Sequence, residues 1–122
     1  MQILLISCFG VFGILGRYLI QMYGKEWNCT FPIATFFINI LGSFLIGYVY
    51  SSSTQYSWLT HPVRLALMVG LIGGFTTFSA FSLDTLLLLK NGQYISAISY
   101  VFGSVVLSLL ATMAGLKLAV SQ

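Results

Sequence analysis

Four long apolar runs dominate this chain of 122 residues and limit what it can fold into. The runs cover residues 3–23, 33–50, 63–89 and 94–120. A helix needs about 20 apolar residues to cross a hydrocarbon core of about 30 Å. The segments between the runs, "GKEWNCTFP", "SSSTQYSWLTHP" and "KNGQ", carry the charged residues, prolines and serines that are typical of short loops. The sequence therefore predicts an all-α membrane protein, with a single domain over 1–122 and four transmembrane helices.

The composition favours a membrane over water as the surroundings of the chain. Hydrophobic residues make up 58 % of the sequence and charged residues only 6 %, too few to cover a water-soluble globule.

The first run has a competing interpretation as a signal peptide, because "LISC" (5–8) resembles a lipoprotein cleavage box. No basic residue precedes it and the apolar run continues well past Cys8, which favours a membrane helix. The basic residues are scattered, so we expect lipid and no nucleic acid as a partner.

The positive charges are balanced across the predicted membrane. With four spans, both termini and the loop between the second and third helices lie on one side. That side carries Arg64 and Lys117, whereas the other carries Lys25 and Lys90, with Arg17 near that end of the first helix. Such a balance gives the positive-inside rule almost nothing to act on. We therefore predict that the chain inserts in both orientations.

Two of the predicted helices carry polar residues at every fourth position. These are Thr35, Asn39 and Ser43 on the second helix, and Tyr100, Ser104, Ser108 and Thr112 on the fourth. Residues four apart share one face of a helix, so each set forms a stripe. An unsatisfied amide in the membrane costs several kcal/mol, so Asn39 needs a partner. The stripes predict either a polar path or helix-to-helix hydrogen bonds, and their lack of charge argues against a proton relay.

Small residues also recur at helical spacing. Gly10, Gly13 and Gly16 occur at every third position of the first run, and Ser43 with Gly47 forms a small-xxx-small pair in the second. Such patterns predict close approach of helix backbones. The partner helix is either in the same subunit or in a second one.

The third run is too long and too irregular for one straight helix. Residues 63–89 would extend about 40 Å at 1.5 Å per residue. The segment "GGFTT" combines poor helix formers with β-branched residues, which predicts a break in the middle of the membrane at 73–77. In a bilayer a broken helix is tolerated where it is buried or lines a cavity, and its freed backbone groups commonly bind ions. The alternative is a kink at a glycine packing contact.

Two phenylalanines follow the predicted break. Phe78 and Phe81 are three residues apart and so lie on one face of the resumed helix. Phenylalanines in membrane helices usually face lipid or the core. The edge of an aromatic ring carries positive quadrupole charge, however, and can face an anion. Rings placed in this way would let an anion pass without trapping it.

Three stretches together resemble one known family. They are "GGFTTFSAFSLD" (73–84), "ATFFINILGSFLIG" (34–47) and "GRYL" (16–19), and they resemble the Fluc, or CrcB, family of fluoride ion channels. The likeness covers nearly the whole chain in four-span layout, length and motif order. It implies an antiparallel, dual-topology homodimer in the plasma membrane of a prokaryote, with two fluoride pores along the subunit interface. Such a channel is not an enzyme; it lets the cell lose fluoride passively and so protects it from fluoride toxicity.

The resemblance also implies roles for individual residues. Phe78 and Phe81 resemble the pore phenylalanines, and Asn39 resembles the residue that hydrogen-bonds fluoride. The other residues that we place along the fluoride pathway are Thr35, Ser79, Tyr100, Ser104 and Ser108. The backbone carbonyls of Gly73 and Thr76 resemble the ligands of a structural sodium ion at the dimer centre. Vestibule or structural roles are expected for Arg17, Gly74, Thr77 and Asp84, with Arg17 either in an aqueous vestibule or snorkelling to the interface.

Two positions depart from the family pattern. Ala80 stands where the family often has Thr, and Asp84 stands where Glu is common. Asp84 is the only acid within a predicted span, so we expect it to cap a helix or pair locally instead of carrying ions. The glycines, the threonine pair and the phenylalanines of the motif are unchanged.

Two other functions fit a chain of this size. A small dual-topology drug/proton antiporter needs an intramembrane carboxylate on its first helix, and residues 3–23 contain none. A non-transporting membrane assembly subunit would use the polar stripes as helix glue and the break as a kink. Fluoride efflux, measured with chloride in parallel, separates a channel from both alternatives.

Overall fold

The computed structural model describes residues 1–24 and 30–120, and within these ranges the chain forms helices and turns without β-strands. The helices are α1 Gln2–Gly24, α2 Ile33–Ser52, α3 His61–Leu65, a π-helical segment Ala66–Ile72, α4 Gly73–Phe75, α5 Phe78–Lys90 and α6 Tyr94–Val120. Four stretches of the described ranges are long and apolar enough to cross a membrane: Gln2–Gly24, Ile33–Ser52, His61–Lys90 and Tyr94–Val120. The chain is thus an all-helical, multi-pass membrane protein. Lys25, which entered the charge balance, lies outside the described residues.

The helices pack in two pairs that glycines bring close together. α2 lies along α6, and α1 lies against the π-helical segment and α4. A methyl group added to Gly47 would overlap the carbonyl oxygen of Thr112, and one added to Gly13 would overlap that of Leu71. Gly10 and Gly16 also face this third span, so the glycines of α1 serve contacts within the subunit.

The interruption of the third span is shorter than the sequence predicts. Gly73–Phe75 are helical, and the extended backbone is confined to Thr76, with φ −80° and ψ 159°, and Thr77, with φ −154° and ψ 120°. Gly74 stays helical because it packs on α1, where an added Cβ would come within 2.9 Å of the carbonyl oxygen of Gly10. The π-helical turns before the interruption were not predicted from the sequence.

The best-buried part of the subunit lies between α5 and α6. Tyr100 is fully buried there with Leu88 and Ala97, and Phe31 and Phe36 pack against them. Most other large apolar side chains are exposed on the outer faces of the helices. A lone subunit therefore presents a surface suited to lipid or to a second membrane subunit.

Candidate functional site

An open cavity of about 510 Å³ lies where α2 and α6 meet the interrupted third span. Its polar lining residues are Asn39, Ser43, Thr76, Thr77, Ser104 and Ser108. Phe78 and Phe81 also line it, together with the backbone of Gly73. The structure thus brings together residues that are far apart in the sequence. Their side chains are amides, hydroxyls, aromatic rings and aliphatic groups, and none of them carries a charge.

Asn39 is bonded to the backbone of the interruption. Its Nδ2 donates to the carbonyl oxygen of Thr77 at 3.0 Å, and its Oδ1 accepts from the N–H of Thr77 at 2.9 Å. This backbone is the partner that the isolated amide of Asn39 requires. Because a primary amide has two N–H bonds, one of them remains for a group in the cavity.

Thr77 restarts the helix after the interruption. Its Oγ1 accepts from the N–H of Ala80 at 3.2 Å, the usual side-chain cap at a helix N-terminus. The Ser79 hydroxyl lies 3.2 Å from the same oxygen. The preceding helix ends at Thr76, whose ψ of 159° takes the chain out of the helix. The N–H and the hydroxyl of Thr76 both still donate to the carbonyl of Ile72, at 2.9 and 3.0 Å.

The carbonyl groups of Gly73 and Thr76 are among those that lose their helical donors at this point. In a continuous α-helix the carbonyl of Gly73 would accept from the N–H of Thr77, and that of Thr76 from the N–H of Ala80. Here the Thr77 N–H donates to Asn39, and the Ala80 N–H donates to the Thr77 hydroxyl. Both carbonyls are therefore released from the i+4 pattern beside the cavity.

Three aromatic rings form a continuous row from the cavity into the core. The ring centroids of Phe78 and Phe81 are 5.4 Å apart, and those of Phe81 and Tyr100 are 5.2 Å apart. Phe78 is 78 % exposed, whereas Tyr100 is fully buried. The row thus begins at the open edge of the subunit and ends inside it.

A second cavity, of about 420 Å³, lies at the other side of Tyr100. Its lining includes Tyr18, Phe31, Thr35 and Asp84. The Tyr100 hydroxyl donates to the Asp84 carboxylate at 3.3 Å, so Asp84 is paired locally while it lines this cavity. Thr35 is separated from Asn39 and Ser43, and the predicted stripe on α2 is divided between two cavities.

The polar residues of the α6 stripe also differ in their contacts. Ser104 and Ser108 line the first cavity, and the buried hydroxyl of Ser104 has no hydrogen-bond partner among the described residues. Thr112 instead links helices, because its hydroxyl oxygen lies 3.0 Å from the carbonyl oxygens of both Ser43 and Ser108 and shares its one proton between them.

Four of the predicted residues line neither cavity, and one of them, Tyr100, lies between Phe81 of the first cavity and Asp84 of the second. Ser79 is exposed and bonded to Thr77, and Gly74 packs against α1. Arg17 is partly buried on α1, directly before Tyr18 of the second cavity. Arg17, Gly74 and Ser79 thus lie outside both cavities, each next in sequence to a residue that lines one.

Sequence reasoning missed Gly42 of the first cavity and most of the second cavity. A methyl group on Gly42 would overlap the side chain of Thr76, so this glycine lets α2 approach the interruption. Its position directly before Ser43 in the polar stripe was the available signal. Tyr18 lies in "GRYL", which contributed to the family resemblance but did not mark a site residue, and Phe31 lies in the predicted first loop, where nothing marked it as a lining residue.

A broken span beside an uncharged polar cavity is an arrangement used by membrane transport proteins, in which discontinuous helices present backbone groups to ions. At the level of sequence, residues 4–116 match the family of the CrcB-like protein, Camphor Resistance (CrcB). The chain belongs to the CrcB family.

Several relatives named "Fluoride-specific ion channel FluC" are similar over almost their whole length. One from Nitrobacter winogradskyi is 43 % identical over 118 residues, covering 95 % of this chain and 93 % of the relative. One from Stutzerimonas stutzeri is 44 % identical over 115 residues, covering 93 % of each chain. One from Phocaeicola vulgatus is 45 % identical over 117 residues, covering 94 % of this chain and 95 % of the relative. These bacterial relatives, with the four spans, define a multi-pass prokaryotic membrane protein.

Proposed function

We propose that the chain is the subunit of a fluoride-selective channel for passive export of cytoplasmic fluoride. Its family and the names of its relatives support this function. The observation in the structure that carries it is the unpaired hydroxyl of Ser104, a residue that lines a cavity together with Phe78 and Phe81. This cavity offers hydrogen-bond donors and ring edges without a fixed charge.

Such a lining suits the physical problem that fluoride poses. Fluoride is small and strongly hydrated, so removal of its water is the main barrier to crossing a membrane. The free N–H of Asn39 and the hydroxyls of Ser104 and Ser108 would replace part of that water. The edges of Phe78 and Phe81 would supply weak positive charge, which lets the ion leave again.

The route continues past Tyr100 towards the second cavity. Tyr100 touches Phe81 on one side and Asp84 on the other, so it connects the two lined spaces. Thr35 offers a further hydroxyl beyond it. The direction of net flux is outward because hydrogen fluoride enters as a neutral acid, dissociates in the neutral cytoplasm and leaves an anion driven by the inside-negative potential.

The functional unit in this proposal is an antiparallel homodimer with two pores. Phe78 is 78 % exposed and the backbone of Gly73 is exposed beside it, so the first cavity is open on the side where a second subunit would close it. The balanced basic residues favour insertion in both orientations. The dimer would lie in the plasma membrane, which is the inner membrane in a Gram-negative cell.

A structural sodium ion would bind at the centre of this dimer. The carbonyls of Gly73 and Thr76 fit such an ion, because both have lost their i+4 donors and hard cations prefer oxygen ligands. The exposure of Gly73 is compatible with a site completed by the second subunit. The bound ion would supply a positive charge that holds the two interruptions together.

Growth of bacteria tests this function in cells. In a strain that lacks its own fluoride exporter, expression of this chain is expected to restore growth in fluoride medium at mildly acidic pH. Expression of Phe81→Ile to the same membrane level is expected not to restore it. Equal growth with both chains, or with neither, would contradict the proposed role of the cavity.

A further inference from the structure

The geometry points to Asn39 and Thr77 as positioning residues for the cation site: their side chains capture the two amide protons that would otherwise occupy the Gly73 and Thr76 carbonyls. This inference rests on the proposed function, in which these two carbonyls hold sodium. It adds that the affinity for sodium is set by side chains that do not themselves bind the ion.

The first carbonyl depends on Asn39. The N–H of Thr77 is the natural donor to Gly73 in a helix, and it lies 2.9 Å from Asn39 Oδ1. The second bond, from Asn39 Nδ2 to the Thr77 carbonyl at 3.0 Å, fixes the orientation of the same residue from its other end. Without this side chain, the Thr77 N–H would be an unpaired donor, and the Gly73 carbonyl is the acceptor that a continuous helix would give it.

The second carbonyl depends on Thr77. The N–H of Ala80 is the i+4 donor to Thr76, and it donates instead to Thr77 Oγ1 at 3.2 Å. The side chain of Thr76 faces the preceding helix instead, where its hydroxyl donates to the carbonyl of Ile72 at 3.0 Å. Each of the two carbonyls is therefore kept free by a different side chain.

Asn39 has a second consequence for transport. It lines the anion cavity as well as holding the interruption, so one side chain touches both the proposed fluoride path and the backbone that carries the proposed sodium ligands. Loss of its amide is therefore expected to reduce sodium binding and fluoride flux together. Loss of a group that only lines the path, such as the Ser104 hydroxyl, is expected to reduce flux alone.

A matched pair at Thr77 tests the inference on the purified dimer. Thr77→Ser keeps the hydroxyl that accepts from Ala80, whereas Thr77→Val keeps the shape and loses the acceptor. The thermal midpoint and the sodium-23 NMR line width are measured against sodium concentration, with N-methylglucamine keeping the ionic strength constant. The half-maximal sodium concentration of Thr77→Ser is expected to match the wild type, and that of Thr77→Val to rise by about ten-fold, the effect of about one hydrogen bond.

The outcome that overturns the inference is specific. If Thr77→Val lowers the thermal midpoint equally with and without sodium, and its half-maximal sodium concentration is unchanged, Thr77 is only a helix cap. Asn39→Leu is the second variant, for the case in which Thr77→Val does not form the dimer, and the same weakening of sodium binding is expected through Gly73. An unchanged sodium dependence in Asn39→Leu would equally overturn the inference.

Fluoride efflux from liposomes, measured on the same wild-type preparation, separates this inference from the proposed function. Selective fluoride efflux from a protein that shows no sodium dependence would overturn the sodium inference and leave the channel intact. A sodium-dependent thermal midpoint without fluoride efflux would overturn the channel and leave the positioning roles of Asn39 and Thr77.

Discussion

Asn39 on α2 holds Thr77 in the third span by both of its backbone groups, with contacts of 2.9 Å to the N–H and 3.0 Å to the carbonyl oxygen. This pair joins the two features that stood out in the sequence, the isolated amide and the irregular "GGFTT" segment. The interruption is therefore a built element of the fold, stabilised from a neighbouring helix, and its position beside the first cavity follows from that contact.

Asn39→Asp tests the need for a neutral amide in the cavity. A carboxylate would repel both an anion in the path and the Thr77 carbonyl, to which Asn39 now donates. We expect fluoride efflux to fall by at least about ten-fold, because a hydrogen bond to a charged group contributes about 1.5–3 kcal/mol. Gln55→Glu is the matched amide-to-acid control, since Gln55 bonds to Ala119 and lines neither cavity. Equal flux in Asn39→Asp and the control would contradict the assignment.

Phe81→Ile tests whether the aromatic row conducts. The ring of Phe81 lies between those of Phe78 and Tyr100, so its removal interrupts the row at its middle. We expect fluoride flux to be abolished while the protein still elutes as a dimer in size-exclusion chromatography. Phe12→Ile, at an exposed phenylalanine of α1, is the control and should conduct normally. Full activity in Phe81→Ile would return the two phenylalanines to a packing role.

Ser104→Ala separates function from stability. The buried Ser104 hydroxyl has no partner among the described residues, and an unpaired buried polar group costs about 1–3 kcal/mol. Its removal should therefore leave the thermal midpoint unchanged or raise it, while fluoride flux falls. A lower midpoint would show that the hydroxyl stabilises the fold.

Thr112→Val is the opposite case on the same helix. The Thr112 hydroxyl links α6 to the Ser43 carbonyl at 3.0 Å. Its loss should lower the free energy of unfolding by about 1 kcal/mol, the usual net contribution of one hydrogen bond, with little effect on selectivity. Thermal denaturation in detergent and the ratio of fluoride to chloride efflux measure the two effects. A changed ratio at unchanged stability would place Thr112 on the path.

Two glycines of α1 provide a matched test of the packing. A methyl group on Gly13 would overlap the Leu71 carbonyl oxygen, whereas one on Gly10 would lie 3.8 Å from its nearest neighbour, the carbonyl oxygen of Gly70. Gly13→Ala should therefore destabilise the protein by about 1–3 kcal/mol through overpacking, and Gly10→Ala should be tolerated. Equal thermal midpoints for the two variants would contradict this arrangement of α1 against the third span.

The positions of the membrane-spanning helices could be predicted from the sequence because of the physics of the bilayer. Helices must satisfy their own backbone in lipid, so the apolar runs predict the spans closely, and 94–120 coincides with α6. The exact place of the interruption depends on tertiary contacts. Local propensity marks Gly73 and Gly74 as helix breakers, yet both are helical, Gly74 packs on α1, and the extended backbone lies at Thr76 and Thr77.

The sequence predicts which residues line the candidate site better than it predicts which hydrogen bonds they form. Period-four spacing places Asn39 and Ser43 on one face, and both line the first cavity. The same spacing predicts Thr35 beside them, but the bulk of buried Tyr100 and its bond to Asp84 divide the space in two. Which hydroxyl is bonded and which is free depends on distances between helices, and these are absent from the spacing of residues within one helix.

Fluoride efflux from liposomes, followed with a fluoride electrode beside a chloride electrode, distinguishes a fluoride-selective channel from the other functions in one experiment. With purified protein and a potassium shunt to balance charge, we expect rapid release of fluoride and retention of chloride. Phe81→Ile, reconstituted at the same density, should retain both ions. Absence of fluoride release from the wild type, or release of chloride at an equal rate, would show that the chain is not a fluoride-selective channel.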